Sequence, residues 1–439
     1  MNSESVVKTL HSLAIEPITH PLNASLRVPG SKSITNRALL LAALADGITR
    51  LNNALFSDDS LYLVSALQSL GFNVEINPKQ AVMTVNGLGG RIPARQADLF
   101  IGNAGTAARF LTAFLTLGQG DYNLDGEARM HERPIGDLVG ALRQLGAQVS
   151  ATPNGKLLCP PVRIQSEGLL GGYAAIAGNI SSQFLSALLM VAPYARQGIK
   201  LEITTDLNSQ PYVDMTLRLM AAFGVQVTQT GGNMFNIQPA KYTPRESYWV
   251  EPDASAAATF FAAPALCGGS VRVEGLQRSS IQGDIRFLDI LEQMGCAVRE
   301  DDLGATVSAP ADGQVLQGVD VDLSTMPDTA QSLAVLAPFA GSLTRIRGIA
   351  SARYKECDRI SATANELRRL GVRVDEHEDG LTIYPAAEIQ PAQVQTYNDH
   401  RMAMAFSLIG LRMAGIQIEN PGCVSKTFPE FFQVLESLR

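Results

Sequence analysis

One pattern constrains the fold of this 439-residue chain more than any other: a helical run closed by a glycine and followed at once by a β-rich stretch. It reads Ala66-Leu67-Gln68-Ser69-Leu70-Gly71-Phe72-Asn73-Val74, and again Ala141-Leu142-Arg143-Gln144-Leu145-Gly146-Ala147-Gln148-Val149. The same form returns at Phe223-Gly224-Val225, Met294-Gly295-Cys296 and Leu370-Gly371-Val372. Glycine just past a helix supplies the left-handed residue that ends it. The five glycines stand roughly 70–80 residues apart, beyond the period of solenoid repeats. Each unit is therefore expected to be a mixed α/β subdomain of two helices and several strands. The C-terminal stretch Pro429 to Leu438 is expected to close a sixth unit with strands from the N-terminus.

Several units also carry a polar turn before a helix of small residues: Gly102-Asn103-Ala104-Gly105-Thr106, Gly178-Asn179-Ile180-Ser181-Ser182-Gln183 and Asp253-Ala254-Ser255. Helix N-termini offer unpaired N–H groups and partial positive charge. Units packed symmetrically would aim several such ends into one cleft and make it attract anions.

The most specific of these starts is Pro29-Gly30-Ser31-Lys32-Ser33-Ile34-Thr35-Asn36-Arg37. Pro29-Gly30 breaks an extended run, Ser31 or Ser33 caps a helix, and the apolar run Ala38–Ala45 is expected to stop at Asp46-Gly47. Lys32, Ser33 and Arg37 place an ammonium, a hydroxyl and a guanidinium near the helix start, suited to phosphate or carboxylate. The Gly-x4-Gly-Lys spacing of a P-loop is absent.

Further candidates are spread along the chain. The Gly102–Arg109 stretch lets backbone approach a ligand at Gly105, and equally reads as a tight strand-to-helix turn. Arg129-Met130-His131-Glu132-Arg133-Pro134 gathers cations before a helix that Pro134 can start, with Arg133 able to grip a carboxylate or phosphate through two bonds. Ser181, Ser182, Gln183, Ser209 and Tyr212 offer neutral donors. Asp328 is an N-cap or, beside a substrate hydroxyl, a general base. In Tyr354-Lys355-Glu356-Cys357-Asp358-Arg359 a helical reading puts Lys355 and Arg359 on one face with Glu356 beside Arg359. That is either a surface ion-pair ladder or two anion binders flanking a proton-transferring carboxyl. Asn398-Asp399-His400-Arg401 and Ser425-Lys426-Thr427-Phe428 each place a cation where a helix is expected to begin.

Composition narrows the partners. A formal net charge of −7 argues against non-specific nucleic-acid binding, so an anionic ligand needs a local cationic pocket. The segment Met1–Pro21 lacks the apolar core of a signal peptide, and no apolar run is long enough to span a bilayer. The five cysteines are scattered and odd in number, as in a cytoplasmic protein with reduced thiols. The five histidines show no ligand spacing.

Six motifs then fall into a familiar order. Val28-Pro29-Gly30-Ser31-Lys32-Ser33, Gly102–Thr106, Glu132-Arg133-Pro134, Lys355-Glu356-x-Asp358-Arg359, Asn398–Arg401 and Lys426-Thr427-Phe428-Pro429 give a chain that resembles the 5-enolpyruvylshikimate-3-phosphate synthase family over essentially its whole length. The resemblance implies an α/β fold of two similar domains, each of three βαβαββ repeats, an inside-out α/β barrel. One domain would cover 32–250 and the other 1–31 plus 251–439, with crossovers near 29–32 and 250–253. It implies transfer of the enolpyruvyl group of phosphoenolpyruvate to the 5-hydroxyl of shikimate 3-phosphate, releasing phosphate. No metal or organic cofactor, no nucleic acid and no membrane is expected, and the chain is expected to act as a cytoplasmic monomer.

By that similarity Lys32, Ser33, Arg37, Ser181, Ser182, Gln183, Ser209, Tyr212, Asp328 and Lys355 would meet shikimate 3-phosphate. Lys32, Gly105, Arg133, Gln183, Arg359, Arg401 and Lys426 would surround phosphoenolpyruvate. Asp328 resembles the family's acceptor of the hydroxyl proton, and Glu356, with Lys32, the group that handles the proton at the methylene carbon. Two departures stand out. Phe110 follows Arg109 where many relatives carry Pro, which bears on inhibitors that compete with phosphoenolpyruvate. Ser351 stands where a number of relatives have Asn, so the side chain has a shorter reach and one expected bond to shikimate 3-phosphate is weakened or lost. A sister enolpyruvyl transferase acting on UDP-N-acetylglucosamine uses a reactive Cys on a Pro-Gly-Cys loop; Pro421-Gly422-Cys423 matches the letters in a different context. A catalytically silent anion binder and an RNA-end-processing enzyme are the more distant readings.

Overall fold

In the computed structural model, which describes residues 10–311 and 314–439, all five repeat glycines are left-handed. Their φ angles are 92°, 89°, 89°, 102° and 83° for Gly71, Gly146, Gly224, Gly295 and Gly371. Each closes a helix by the same two bonds. Gly71 N–H donates to Gln68 O and Phe72 N–H to Leu67 O, both at 3.0 Å, and the other four glycines repeat the pair. A β-carbon on Gly71 would also lie 2.8 Å from Pro93, so conformation and space both demand glycine there.

The chain divides into two compact units. One is Gly30–Val250; the other joins the described residues up to Pro29 with Glu251–Arg439. In Gly30–Val250 the helices are α1 (Lys32–Leu44), α2 (Asp58–Ser69), α3 (Gly105–Leu115), α4 (Gly136–Gln144), α5 (Ser182–Val191) and α6 (Gln210–Ala222). In the other they are α7 (Ala254–Cys267), α8 (Phe287–Gln293), α9 (Ala330–Ala334), α10 (Arg359–Arg369), α11 (His400–Arg412) and α12 (Phe431–Glu436).

Each pair of helices belongs to one sheet. In the second repeat Gln96–Phe100 leads through α3 to Gln119–Asp125 in parallel, then α4 leads to the antiparallel strands Gln148–Asn154 and Leu157–Glu167. The order first, second, fourth, third recurs in all five four-stranded sheets of the described residues. Two sheets are completed by distant chain. Tyr248–Trp249 supplies the first strand of the sheet built on α1 and α2, and Leu22–Leu26 that of the sheet built on α7 and α8. The sixth sheet has three strands, with Ser12–Ile15 antiparallel to Ile416–Glu419.

Burial separates the helices. α1 is buried from Ile34 to Leu44, and α3 along its whole length. α2, α4 and α6 bury one face only. A helix apolar on every side must lie inside, whereas a one-sided one covers the outside. Each unit therefore carries its first helices in the core, with their starts as the places where polar side chains gather. One boundary differs from expectation: α1 ends at Leu44 with Ala45 extended, and Gly47 lies within the strand Asp46–Asn52. Ala45 N–H still reaches Leu41 O at 2.9 Å, so the helix closes without a glycine.

Candidate active site

In Gly30–Val250 the starts of α1, α3, α5 and α6 are tied together by side chains. Ser31 caps α1, its Oγ accepting from Ile34 N–H at 3.4 Å. Gly30 is obligatory, since a β-carbon there would sit 1.8 Å from Asn53 O. Lys32 Nζ lies 3.5 Å from the buried Asp59 Oδ2. Arg37 is 1% exposed. Its Nε donates to Thr216 Oγ1 at 2.7 Å, Nη1 to Ser33 O at 2.9 Å, and Nη2 to Ser186 Oγ and Tyr212 O at 3.2 Å each. The Phe110 ring lies under it, 5.3 Å from Cζ to the centroid, within cation–π range. Burial pulls the Arg37 guanidinium down to about 10, against a small opposing effect of Tyr212.

Gln183 Nε2 joins α5 to α3 by donating to Thr106 Oγ1 at 3.3 Å, and Ser181 caps α5 by accepting from Gln183 N–H at 3.3 Å. Arg133 Nη1 donates to Asn103 O and Oδ1, both at 2.9 Å. Its guanidinium covers Gly105, where a β-carbon would be 2.2 Å from Nη2. Arg109 holds the same corner through Pro134 O at 2.7 Å. Ser209 enters α6 with φ 58°, an unfavourable state for a serine that concentrates at functional positions.

The other unit builds a different kind of cluster. Arg359, at the start of α10, donates from Nη1 to Asp328 Oδ1 at 3.0 Å, from Nη2 to Glu356 Oε2 at 2.7 Å, and from Nε to Asp399 Oδ2 at 2.8 Å. Arg401 Nη2 reaches Asp328 Oδ2 at 3.2 Å. Lys355 Nζ stands 3.6 Å from Asp328 Oδ1, and Lys426 Nζ 3.8 Å from Glu356 Oε1. Asp399 is fully buried and caps α11 by accepting from Arg401 N–H at 2.9 Å. Burial alone would lower the Arg359 guanidinium, but Asp399, Glu356 and Asp328 outweigh it and hold it well above its usual range. Burial also pushes up the Cys357 thiol, with the Asp399 carboxylate 3.4 Å away adding to it.

Such a set of cations, each beside an oxygen acceptor or a hydroxyl, can hold phosphate and carboxylate groups and move a proton. The family model described as EPSP synthase (3-phosphoshikimate 1-carboxyvinyltransferase) matches residues 17–435. The chain belongs to the EPSP synthase family. It is 50% identical over 423 residues to the 3-phosphoshikimate 1-carboxyvinyltransferase of Trichormus variabilis, covering 96% of this chain and 98% of that one. It is 49% identical over 431 residues to that of Nostoc punctiforme, covering 97% and 100%. A solved EPSP synthase from Acinetobacter baumannii has a TM-score of 0.80 at 27% identity, covering 98% of each chain. The six-repeat α/β architecture is that of EPSP synthases.

Within this EPSP synthase family member several sequence expectations need correction. Lys355 and Arg359 do not share a helical face. Lys355 closes a short 3-10 helix over Ala350–Tyr354 with φ −86° and ψ −153°, and α10 begins only at Arg359, capped by Asp358. The charge cluster is a buried knot built by a loop, not a surface ladder. Asp328 caps no helix; it lies within a 3-10 turn, Pro327–Thr329, and points at three cations. Lys426 ends a 3-10 helix, Pro421–Lys426, instead of starting one, and α4 starts at Gly136, beyond Pro134. Arg37 is turned inward onto protein partners. Sequence reasoning missed Asp399 as a hub, although it quoted the motif containing it, and missed Asp59, Ser186 and Thr216 altogether. The four-residue spacing of Tyr212 and Thr216, which puts both on one side of a helix, was the available signal for the last.

Proposed function

We propose that these residues carry out the reaction of the EPSP synthase family: each substrate draws on residues of both sets, and the carboxylates around Arg359 move protons. Lys32, Ser33, Ser181, Ser182, Gln183, Ser209 and Tyr212 meet the shikimate phosphate and ring, with Arg37 behind them. Asp328 and Lys355 complete that substrate's surroundings. Lys32, Gly105, Arg133, Gln183, Arg359, Arg401 and Lys426 bind the phosphate and carboxylate of phosphoenolpyruvate.

The observation that carries this reading is the pair of carboxylates on one arginine: Asp328 and Glu356 both accept from Arg359, at 3.0 and 2.7 Å. One is available as base and one as acid beside the same anion binder. The 5-hydroxyl of shikimate 3-phosphate forms a C–O bond to C2 of phosphoenolpyruvate while Asp328 takes the hydroxyl proton. Glu356, with Lys32, delivers a proton to the methylene carbon, which becomes a methyl. Elimination reverses the second step: a methyl proton leaves, the double bond returns, and the C–O bond to phosphate breaks. Arginines and lysines aimed at the phosphate stabilise the charge that develops on it.

A sister reaction at a reactive cysteine is unsupported, because Cys423 is buried and its thiol pushed up to about 12, far from the thiolate a nucleophile needs. Both residue sets belong to one chain, so a monomer suffices, and five free thiols fit the cytoplasm. The test is phosphate release from phosphoenolpyruvate and shikimate 3-phosphate by the purified protein. Glu356→Gln should keep affinity for both substrates and lose roughly 10²- to 10⁴-fold in kcat; unchanged turnover would remove Glu356 from the proton transfer.

A further inference from the structure

Asp399 places Arg359, and through α11 it also places Arg401. What places Asp399 lies outside the residues given roles so far. The two residues before it, Tyr397 and Asn398, both have left-handed backbones, with φ 54° and 55°. Two successive side-chain-bearing residues in that region persist only where the surroundings over-determine them. Of the six non-glycine residues with positive φ among the described residues, three gather here: Tyr397, Asn398 and Asn420. Asn420 Nδ2 donates to Asn398 Oδ1 at 3.1 Å and opens the 3-10 helix that ends at Lys426.

The clamp on this turn is Glu366. It lies on α10, two turns beyond Arg359, and is fully buried. Its Oε1 accepts from Tyr397 Oη at 2.9 Å, and its Oε2 accepts from Gln395 N–H at 3.0 Å and Arg369 Nε at 2.9 Å. One helix thus meets the Gln395–Asp399 segment twice: Arg359 bonds Asp399 at its end, and Glu366 holds the strained turn that feeds it. Thr396 between these bonds and Val394 just before them are buried, so the segment has little freedom once Glu366 is satisfied.

We infer that Glu366, acting through Tyr397, is a positioning residue for the phosphoenolpyruvate-binding arginines. This rests on the reading that Arg359 and Arg401 bind that substrate. Loosening the turn leaves Asp399 less well held, so both arginines lose alignment, whereas all the residues proposed for shikimate 3-phosphate except Asp328 and Lys355 stand at α1, α5 and α6 in the other compact unit, and Asp328 keeps Lys355 beside it.

Tyr397→Phe removes one bond at a partly exposed ring and leaves the fold intact. It should raise KM for phosphoenolpyruvate roughly tenfold, the worth of one hydrogen bond to a charged group, with KM for shikimate 3-phosphate within about twofold. Glu366→Gln should fall between that variant and the parent, because its amide oxygen accepts from Gln395 N–H and its amide N–H donates to Tyr397 Oη. The inference is overturned if the parent releases phosphate and Tyr397→Phe leaves KM for phosphoenolpyruvate unmoved, or if both KM values rise together in step with a fall in Tm. A parent protein that releases no phosphate overturns the reading of the site itself, and this inference with it.

Discussion

Two buried arginines, Arg37 and Arg359, solve the same problem in opposite ways. Both are nearly inaccessible to water. Arg37 is held by two hydroxyls, two backbone carbonyls and an aromatic face. Arg359 is held by three carboxylates. The first keeps a positive charge that no carboxylate offsets directly, and burial lowers its affinity for a proton; the second is more than neutralised and gains affinity. A neutral cage keeps the field of a cation available to an anionic ligand, at a cost in stability. An acidic cage spends that field on fixing geometry, and supplies carboxylates that can exchange protons. The former suits recognition of a phosphate ester, the latter a place where protons move.

The largest expected difference concerns stability. Arg359→Met should take the guanidinium from two buried carboxylates, Glu356 and Asp399, and from the half-buried Asp328, and cost roughly 3–5 kcal/mol in urea unfolding, as when one partner of a buried ion pair is removed. Arg37→Met strands only neutral groups, which bond one another: Thr216 Oγ1 already donates to Ser186 Oγ at 2.9 Å. It should cost less than Arg359→Met, because no uncompensated buried charge is left behind, while affinity for shikimate 3-phosphate falls. Equal losses of stability in the two variants would erase the contrast.

A finer cut is available at Phe110, which replaces nothing in the reaction yet supports the Arg37 guanidinium. Phe110→Leu keeps an apolar side chain and removes the ring, so KM for shikimate 3-phosphate should rise by about two- to fivefold for a cation–π contact of about 0.5–1 kcal/mol. No change would mean that the four hydrogen bonds alone align Arg37.

The smallest effect is in pH. The folded value for Arg37, about 10, lies below the usual 12.5. Between those values the folded state binds fewer protons than the unfolded one, so the cost of burying this charge is complete below pH 10 and eases as pH rises. The charge itself is on throughout the neutral range. Affinity for shikimate 3-phosphate, measured by calorimetry, should therefore not fall between about pH 7 and 9 and should be about twofold weaker near pH 10. A decline centred near pH 8 would show another group governing the site.

The repeat glycines show what was legible in the chain. Gly71, Gly146, Gly224, Gly295 and Gly371 mark helix ends because a left-handed residue is a local demand, answered within six residues of backbone. The capping of α1 by Ser31, of α7 by Asp253 and of α11 by Asp399 is local in the same sense. Lys32, Arg133, Asp328, Glu356, Arg359, Arg401 and Lys426 stood out as candidates, since each sits in a short polar motif at a break between elements.

Partnership was not legible. Lys355, Glu356 and Arg359 looked like neighbours on a helix, and came together through a loop, because Asp358 caps α10 and leaves Lys355 and Glu356 outside it. Asp328 looked like a helix cap and became the partner of Arg359 and Arg401, residues 31 and 73 positions away. Whether a buried guanidinium meets Thr216 or Asp399 depends on which helix start packs beside it. The sequence by itself determined where elements begin and end and which charges stand at those ends, because caps and turns act over a few residues. Only the tertiary structure decided which charges face one another, because the Coulomb and desolvation energies that distinguish Arg37 from Arg359 come from groups brought close by packing and not by the order of the chain.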